Sequence, residues 1–357
     1  MSTKQKRKTE PKPPLSKILW TAARPHTLTA SLSPTLVGRA LCRNAIVVHG
    51  DEESSLFESL FIRWAGFCML IQLATNVHND YSDWVRGADD DKRVGQARAT
   101  QKGWLSPFQT ASLATFLAVL ALLDGLSLIW NLQEATASSG SSFRTLVMVM
   151  IVATSVFNAF AYTAGPYPLG YIGLGNASIA YAGLGDLFVF LYFGLVATLT
   201  LPFLYLSCSS SSSSLSTTIS SIDLSDWMQS NFMYAAQVGA LGTNIIVVNN
   251  LRDRHTDVGA NKRTMAVRMG ASFCRREYVF MVLISYAMVL WDAYQLHQWQ
   301  RLLPLLTIPI ARKEITAVYE KDGAALNPHV GGAAKLQFLF CILLSLSMRI
   351  SSTTNIP

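Results

Sequence analysis

The chain has 357 residues, 50% hydrophobic and only 14% charged, whereas a soluble domain usually carries about 25% charged residues. The deficit is concentrated: Leu146 to Leu206 holds one charged residue, Asp186, and Asn231 to Leu251 holds none. Stretches of about 20 apolar residues are what a helix needs to cross hydrocarbon, so this composition excludes a water-soluble core.

The net charge of +7 does not point to nucleic acid, because much of the excess sits in one tail, Lys4, Lys6, Arg7, Lys8 and Lys12, among prolines 11, 13 and 14. Residues 1–15 therefore read as a basic, disordered tail suited to an anionic membrane surface. No apolar stretch in it resembles a secretory signal. The five cysteines and six histidines show no disulfide-framework or zinc-ligand spacing and read as unpaired thiols and ordinary histidines.

Nine spans follow in chain order, near 26–48, 57–79, 108–130, 143–163, 178–206, 231–250, 278–297, 302–319 and 335–353. The first and eighth are interrupted by prolines. A serine tract, Ser207 to Ser214 broken by Cys208, reads as a flexible polar loop after the fifth. Nine spans leave 23 of the 29 Lys and Arg residues on the side of the amino terminus and five on the other, with Arg349 near the carboxyl end. A basic excess marks the cytoplasm-equivalent face. The expected architecture is one all-α bundle of nine transmembrane helices around a central cavity, spanning residues 16–353.

Two polar clusters lie at that inner face, each at the end of an apolar span. The first is Asn76-Val-His-Asn79-Asp80-Tyr-Ser-Asp83, continuing to Gly87 and Asp89; the second is Asn249-Asn250-Leu-Arg-Asp253-Arg-His-Thr-Asp257, followed by Gly259 and Lys262. Spacings of three and four residues put each carboxylate pair on one helix face. Hard divalent cations take oxygen ligands, and Mg²⁺ commonly joins a few carboxylates to substrate phosphates. Asp80, Asp83, Asp89, Asp253 and Asp257 are thus candidate metal ligands, with Asn79 beside them. Arg98, Lys102, Lys262 and Arg263 are candidate cations for a diphosphate. His78 and His255 read as neighbours of the ligands. A solvated interfacial loop would also carry charges, but two matched clusters with asparagines and trailing bases argue for a site.

These motifs resemble the two signatures of the UbiA superfamily of intramembrane prenyltransferases, and more closely its dihydroxynaphthoate branch. The resemblance rests on Arg24-Pro25-His26-Thr27-Leu28 with Pro34 and Gly38, on the first cluster, and on Tyr162-Thr163-Ala-Gly165-Pro166 with Pro168-Leu-Gly-Tyr-Ile-Gly-Leu-Gly. It rests further on Asn249 through Arg268 and on Leu303-Pro-Leu-Leu-Thr-Ile-Pro309. It implies Mg²⁺-dependent transfer of a polyprenyl or phytyl group from its diphosphate to 1,4-dihydroxy-2-naphthoate, with decarboxylation, in menaquinone or phylloquinone biosynthesis. Asn79, Asp83, Asp253 and Asp257 would be the catalytic set, and Arg24 and Tyr162 the acceptor contacts. For Arg24 a helix-anchoring role, and for Tyr162 a place in an interfacial aromatic belt, are alternatives. The expected partners are the prenyl diphosphate, the aromatic acceptor and the bilayer, in a plastid or other organelle membrane, or in a bacterial cytoplasmic membrane.

The sequence departs from the broader superfamily at Gly87, where a third acid often stands and Asp89 is the nearest candidate, and Gly173-Leu-Gly-Asn176 is followed by a near copy, Gly183-Leu-Gly-Asp186, which resembles a ten-residue insertion. Homogentisate or 4-hydroxybenzoate are alternative acceptors. An organic-anion transporter is an alternative of another class, but it would carry binding residues at mid-membrane and inverted repeats. A soluble isoprenyl diphosphate synthase also uses paired acidic motifs, and the span composition rules against it.

Overall fold

A computed structural model describes residues 12–45, 51–89, 93–137, 142–209 and 224–354. Described residues form helices and connecting turns, with no β-strand among them. The helices are α1 (Leu15–Ala23), α2 (Pro25–Ala45), α3 (Asp51–Val85), α4 (Pro107–Thr136), α5 (Ser142–Ala161), α6 (Gly185–Val189), α7 (Ala197–Ser209), α8 (Leu224–Gly259), α9 (Met265–Leu296), α10 (Ile308–Glu320) and α11 (Asn327–Thr354). A π-helical segment, Phe190–Val196, joins α6 to α7 into one span.

Seven of these elements are long and apolar enough to cross a membrane: α3, α4, α5, Gly185–Ser209, α8, α9 and Gly323–Ile350. The other two expected spans are present as helical segments of a different kind. The first is α2, 21 residues with Pro34 inside and with His26, Thr27, Thr29, Ser31 and Ser33 interleaved among the apolar residues of its first half. The eighth is divided into a 3-10 segment, Trp299–Thr307, and the 13-residue α10. Pro304 and Pro309 explain the division, since neither can donate to a continuous helical ladder.

The membrane solvent is written in which faces are left bare. Phe116, Leu123, Leu126 and Trp130 on α4 and Phe280, Leu283, Leu290 and Trp291 on α9 are exposed. Apolar patches of that extent do not persist against water but suit acyl chains. The helix α8 is the opposite case. Its span has the lowest hydropathy of the seven, 1.2, and the most buried window, 78%. It is surrounded by protein, so it can carry Gln237, Thr243, Asn244, Asn249 and Asn250 where a lipid-facing helix could not. Some of those groups find partners, Thr243 donating to Gly239 O at 2.9 Å and the Asn244 amide to Tyr278 O at 3.3 Å, whereas the buried Gln237 side-chain amide has none among the described residues.

One sequence expectation changes here. The serine tract begins inside a helix, because Ser207 and Ser209 are buried at the end of α7; residues 210–214 lie outside the described residues. Most of the basic tail, residues 1–11, also lies outside them, and α1 starts at Leu15. That helix buries Ile18 and Ala22 against Val77, Ala99 and Ala114 and exposes Leu15, Leu19 and Trp20. The five cysteines are unpaired, as expected.

A close helix contact shapes the cavity wall. The π-helical segment crosses α8 at Gly194 and Gly239, where a Cβ on Gly239 would sit 2.8 Å from Phe190 O and 3.0 Å from Gly194 Cα. Only glycine permits this approach, the small-residue device of membrane helix packing. Gly239→Val should cost about 1–3 kcal/mol through overpacking. The expected result is a clear fall in the thermal unfolding midpoint of detergent-solubilised protein, whereas Gly331→Ala, whose added methyl meets nothing within 4 Å, should leave it unchanged or raised.

Candidate active site

Both acidic clusters come together at one end of the bundle, over a cavity lined by residues of α2, α3, α5, the π-helical span and α8. The amino-terminal corner meets them there. Pro25 bars the preceding residue from helical backbone, and Arg24 takes a left-handed conformation, φ 50°, between α1 and α2. The corner is fastened to α3 through Asn76, which donates to Ala23 O at 2.9 Å and to Thr27 Oγ1 at 2.8 Å. The Arg24 guanidinium then donates to Asn76 O at 3.1 Å and pairs with Asp80.

The end of α3 presents the first cluster. Gly87, φ +76°, turns the chain out of the helix, as left-handed glycines commonly do at helix ends. The Ala88 and Asp89 amides then bond back to Asp83 O at 2.8 and 3.3 Å. This return brings Asp80, Asp83 and Asp89 around one guanidinium: Arg98 lies 2.5 Å from Asp80 Oδ1 and 3.5 Å from both Asp83 Oδ2 and Asp89 Oδ2. Burial, reinforced by the Asp83 carboxylate, pushes the Asp89 carboxyl up to about 7. Arg93 pairs with Asp89. Burial opposes its charge, but Asp89, Asp253, Asp83 and Asp80 outweigh that and hold its pKa above the ordinary value. Arg93 therefore feels the acids of both motifs.

The second cluster ends α8. Arg252 grips Asp253 with two donors, 2.8 and 2.6 Å, and reaches Asn249 Oδ1 at 2.8 Å. Lys262 folds back so that its amide donates to Asp257 O at 2.9 Å, and its ammonium stands 3.9 Å from Asp257 Oδ1. Burial works against that ammonium too; Asp257, Asp83 and Asp253 more than offset it and raise its pKa.

Between the clusters stand the two tyrosine-bearing turns after α5. Thr163 Oγ1 donates to Asn79 Oδ1, and Ser82 Oγ donates to Ala164 O at 2.5 Å, clasping the Tyr162–Gly165 turn to α3. Tyr162 lines the cavity, and burial followed by the Asp186 and Asp83 charges keeps it a neutral phenol. Tyr181 donates to Asp83 Oδ1 at 3.1 Å while Arg86 lies over its ring at 4.6 Å and Lys262 at 5.6 Å.

The two glycine-leucine-glycine copies do different work. Gly175 O in the first accepts from the Gly165 amide at 2.8 Å and so closes the tyrosine turn. The second opens α6, with Gly185 against the Tyr162 hydroxyl and Asp186 accepting from Asn250 at 3.4 Å.

Of the residues expected from sequence, Arg24, Asn79, Asp83, Arg98, Tyr162 and Lys262 line the cavity, and Asp80, Asp89, Asp253 and Asp257 stand behind it, bonded to or facing its cations. Lys102 and Arg263 are not among the lining residues; Arg263 lies on a separate pocket with Arg86. His78 bonds Tyr167 O at 2.9 Å, and His255 lies 3.6 Å from Asp322, an acid outside both motifs. Sequence reading missed Arg93, Arg252 and Tyr181. Arg93 and Arg252 carried only the signal of proximity to the motifs, and Tyr181 had none, since its partner Asp83 lies 98 residues away. Below the charged mouth the walls turn apolar, with Trp64, Phe67, Ile71, Phe188, Phe193 and Val196.

A charged mouth rich in carboxylates and cations over an apolar pocket inside a helical bundle defines an intramembrane enzyme for an amphiphile with an anionic head. Residues 31–313 match the UbiA prenyltransferase family, and the chain belongs to it. It is a prenyltransferase and a multi-pass integral membrane protein. Its relatives include the 1,4-dihydroxy-2-naphthoate octaprenyltransferases of Escherichia coli, 29% identical over 92% of this chain and 94% of that protein, and of Haemophilus influenzae, 29% identical over 94% and 96%. The UbiA prenyltransferase domain-containing protein 1 homolog of Drosophila melanogaster is 27% identical over 90% of this chain and 76% of its own. The apo structure of a UbiA homolog from Aeropyrum pernix K1 shares the fold, with TM-score 0.55 at 12% identity over 91% of this chain and 98% of that one.

A brace from the last hairpin holds the two motifs in register. Asn327, at the start of α11, donates to Val94 O at 2.8 Å and accepts from Arg252 at 3.2 Å. Asn327→Ala removes a hydrogen bond to a charged group, which contributes about 1.5–3 kcal/mol. The expected effect is a rise of roughly tenfold in KM for the prenyl diphosphate, with Asn327→Asp, which keeps the acceptor for Arg252, recovering most of it. An unchanged KM in the alanine variant means that Arg252 needs no brace.

Proposed function

We propose that the chain transfers a polyprenyl or phytyl group from its diphosphate to 1,4-dihydroxy-2-naphthoate, with loss of carbon dioxide, in menaquinone or phylloquinone biosynthesis. The observation that carries this reading is the cavity itself, which joins both acidic motifs and five basic side chains, Arg24, Arg93, Arg98, Arg252 and Lys262, to an apolar interior. The named activity of the two bacterial relatives, which match this chain nearly end to end, supports the acceptor.

The donor set suits Mg²⁺. Asp80 Oδ2 and Asp257 Oδ2, one from each motif, are buried with no hydrogen-bond partner, and a carboxylate oxygen can only accept or ligate. Among the described residues no three acidic, His or Cys side chains converge to hold a metal alone, which suits an ion that shares its coordination with substrate phosphates and water. Asp80, Asp83 and Asp89 would hold it on one side and Asp253 and Asp257 on the other. When bound, Mg²⁺ supplies Lewis-acid neutralisation of the diphosphate.

The chain's own groups do the rest. Arg93, Arg98 and Lys262 donate to diphosphate oxygens and stabilise the charge that develops as the allylic C–O bond breaks. Asn79, held by Thr163, orients the head between the motifs. Phe67, Ile71, Phe188 and Phe193 enclose the prenyl chain and keep water from the allylic cation. Arg24 and the neutral Tyr162 hydroxyl position the acceptor carboxylate and ring. A ring carbon forms the new C–C bond to the allylic carbon, and departure of the carboxyl group as carbon dioxide restores aromaticity, with inorganic diphosphate as the other product.

Purified protein incubated with the naphthoate, prenyl diphosphates of several lengths and Mg²⁺ should give a prenylated, decarboxylated product by mass spectrometry. Product from homogentisate or 4-hydroxybenzoate and none from the naphthoate would overturn the acceptor assignment. Excess chelator should abolish turnover and added Mg²⁺ restore it; full activity in chelator excludes the metal.

Asp83→Asn and Asp257→Asn preserve shape and remove a negative charge, and each should cut turnover at least about 100-fold, equivalent to about 2.7 kcal/mol. The control is Asp226→Asn, an exposed position at the far end of α8; the serine-loop acid Asp223 lies outside the described residues. Variants expressed at parental level that turn over like the parent would remove the two-motif assignment.

A further inference from the structure

A second pocket opens beside the first, and its chemistry is different. It lies between the end of α3 and the turns that flank α6 and α8, with Arg86, Asn176, Tyr181, Leu184, Asn261 and Arg263 among its walls. Not one acidic side chain lines it among the described residues. The main cavity pairs each cation with a carboxylate; this pocket presents cations without them.

The two arginines are prepared in different ways. Arg86 is held in place, donating to Gly175 O and stacked on the Tyr181 ring at 4.6 Å. A guanidinium has five N–H donors, so most of its donors stay available. Arg263 is exposed, and only its backbone is bonded within the protein, the amide to Tyr181 O at 3.1 Å and the carbonyl from Arg268 Nε at 2.9 Å. Asn176 and Asn261 add side-chain amides, and Ile179, Ala182 and Leu184 add an apolar wall. Paired guanidinium groups with amide donors suit the oxygens of a phosphate. Basic pockets at the ends of transmembrane helices are where anionic lipid head groups dock. The volume of about 540 Å³ has room for a phosphate together with its esterified alcohol.

We propose that the Arg86–Arg263 pocket is a second, metal-independent binding site for a phosphate-bearing anion, walled from the acidic site by Tyr181. Two sources carry that chemistry at this face: the head group of an anionic phospholipid, and the free diphosphate that the transferase reading releases. Because no carboxylate lines the pocket, its ligand needs no divalent ion, and that separates it from the acidic site whatever the acidic site turns over.

The test uses the full chain in detergent, in excess chelator, with two probes. Native mass spectrometry compares retention of phosphatidylglycerol with phosphatidylcholine, and equilibrium dialysis measures binding of radiolabelled inorganic diphosphate. Arg263→Gln changes an exposed side chain and leaves the fold intact; Arg276→Gln, an exposed arginine on α9 bonded to Ser272 O, is the control. At least one probe should bind to the parent, weaken about fivefold or more in Arg263→Gln, and hold in Arg276→Gln. Loss confined to phosphatidylglycerol identifies a head-group site, and loss confined to diphosphate identifies a free-anion site. If diphosphate binds only with Mg²⁺ and phosphatidylglycerol shows no preference, or if Arg263→Gln binds both probes like the parent, the pocket is not an anion site.

Discussion

Five carboxylates buried at the mouth of a membrane bundle must be neutralised, and the way this chain does so organises everything around them. A buried, unpaired carboxylate is far too costly to persist. Here Asp80 is met by Arg24 and Arg98, Asp89 by Arg93, Asp253 by Arg252 and Asp257 by Lys262. These five bases come from three places in the chain, so satisfying the acids draws the α1–α2 corner, the turn after α3 and the end of α8 onto one point. The charge balance that makes the site stable before substrate arrives is also what a diphosphate and its metal would redistribute.

Around that centre the elements divide the labour. α8 supplies the second cluster from the middle of the bundle, and the π-helical span supplies an apolar wall. Phe188, Tyr192 and Val196, spaced by four, all line the cavity. The wide π turn keeps that spacing on one face longer than an α-helix does. Farther from the mouth, polar locks hold the helix ends. Tyr234, Asp292 and Arg301 join α8, α9 and the 3-10 segment, and His329 joins Glu314 across α10 and α11. Near the mouth Arg254 meets Asp322, whose carboxyl it holds down to about 2. That carboxyl's folded pKa is depressed, so its contribution is complete above the ordinary carboxylate range and lost as pH falls toward 2; at an exposed site the amount is small.

Much of the site was legible in the sequence because its acids are grouped at helical spacing where apolar spans end. That pattern places carboxylates at the membrane surface and on one helix face without any knowledge of tertiary structure. Tyr181 was not legible because its bond to Asp83 spans distant parts of the chain, and Arg93, although it pairs with the nearby Asp89, feels the second motif only through the fold. Lys102 and Arg263 show the converse: nearness in sequence to a motif does not decide which way a turn carries a side chain. In the fold, the seven strongly apolar spans could be read from composition. α2 and the segment Trp299–Glu320 could be located but not typed, since their prolines and polar residues are accommodated by neighbours the sequence does not display.

The burial of α8 has a consequence for how the protein is made. A nascent segment partitions into lipid according to its own side chains, and a helix with hydropathy 1.2 that carries Gln237, Asn244, Asn249, Asn250, Asp253 and Asp257 gains little by entering a bilayer alone. Its companions are synthesised on both sides of it: the π-helical span before, α9 and α11 after. α8 thus relies on neighbours made both before and after it for its stability in the membrane. Its retention during biogenesis depends on α9 and α11 arriving to cover it.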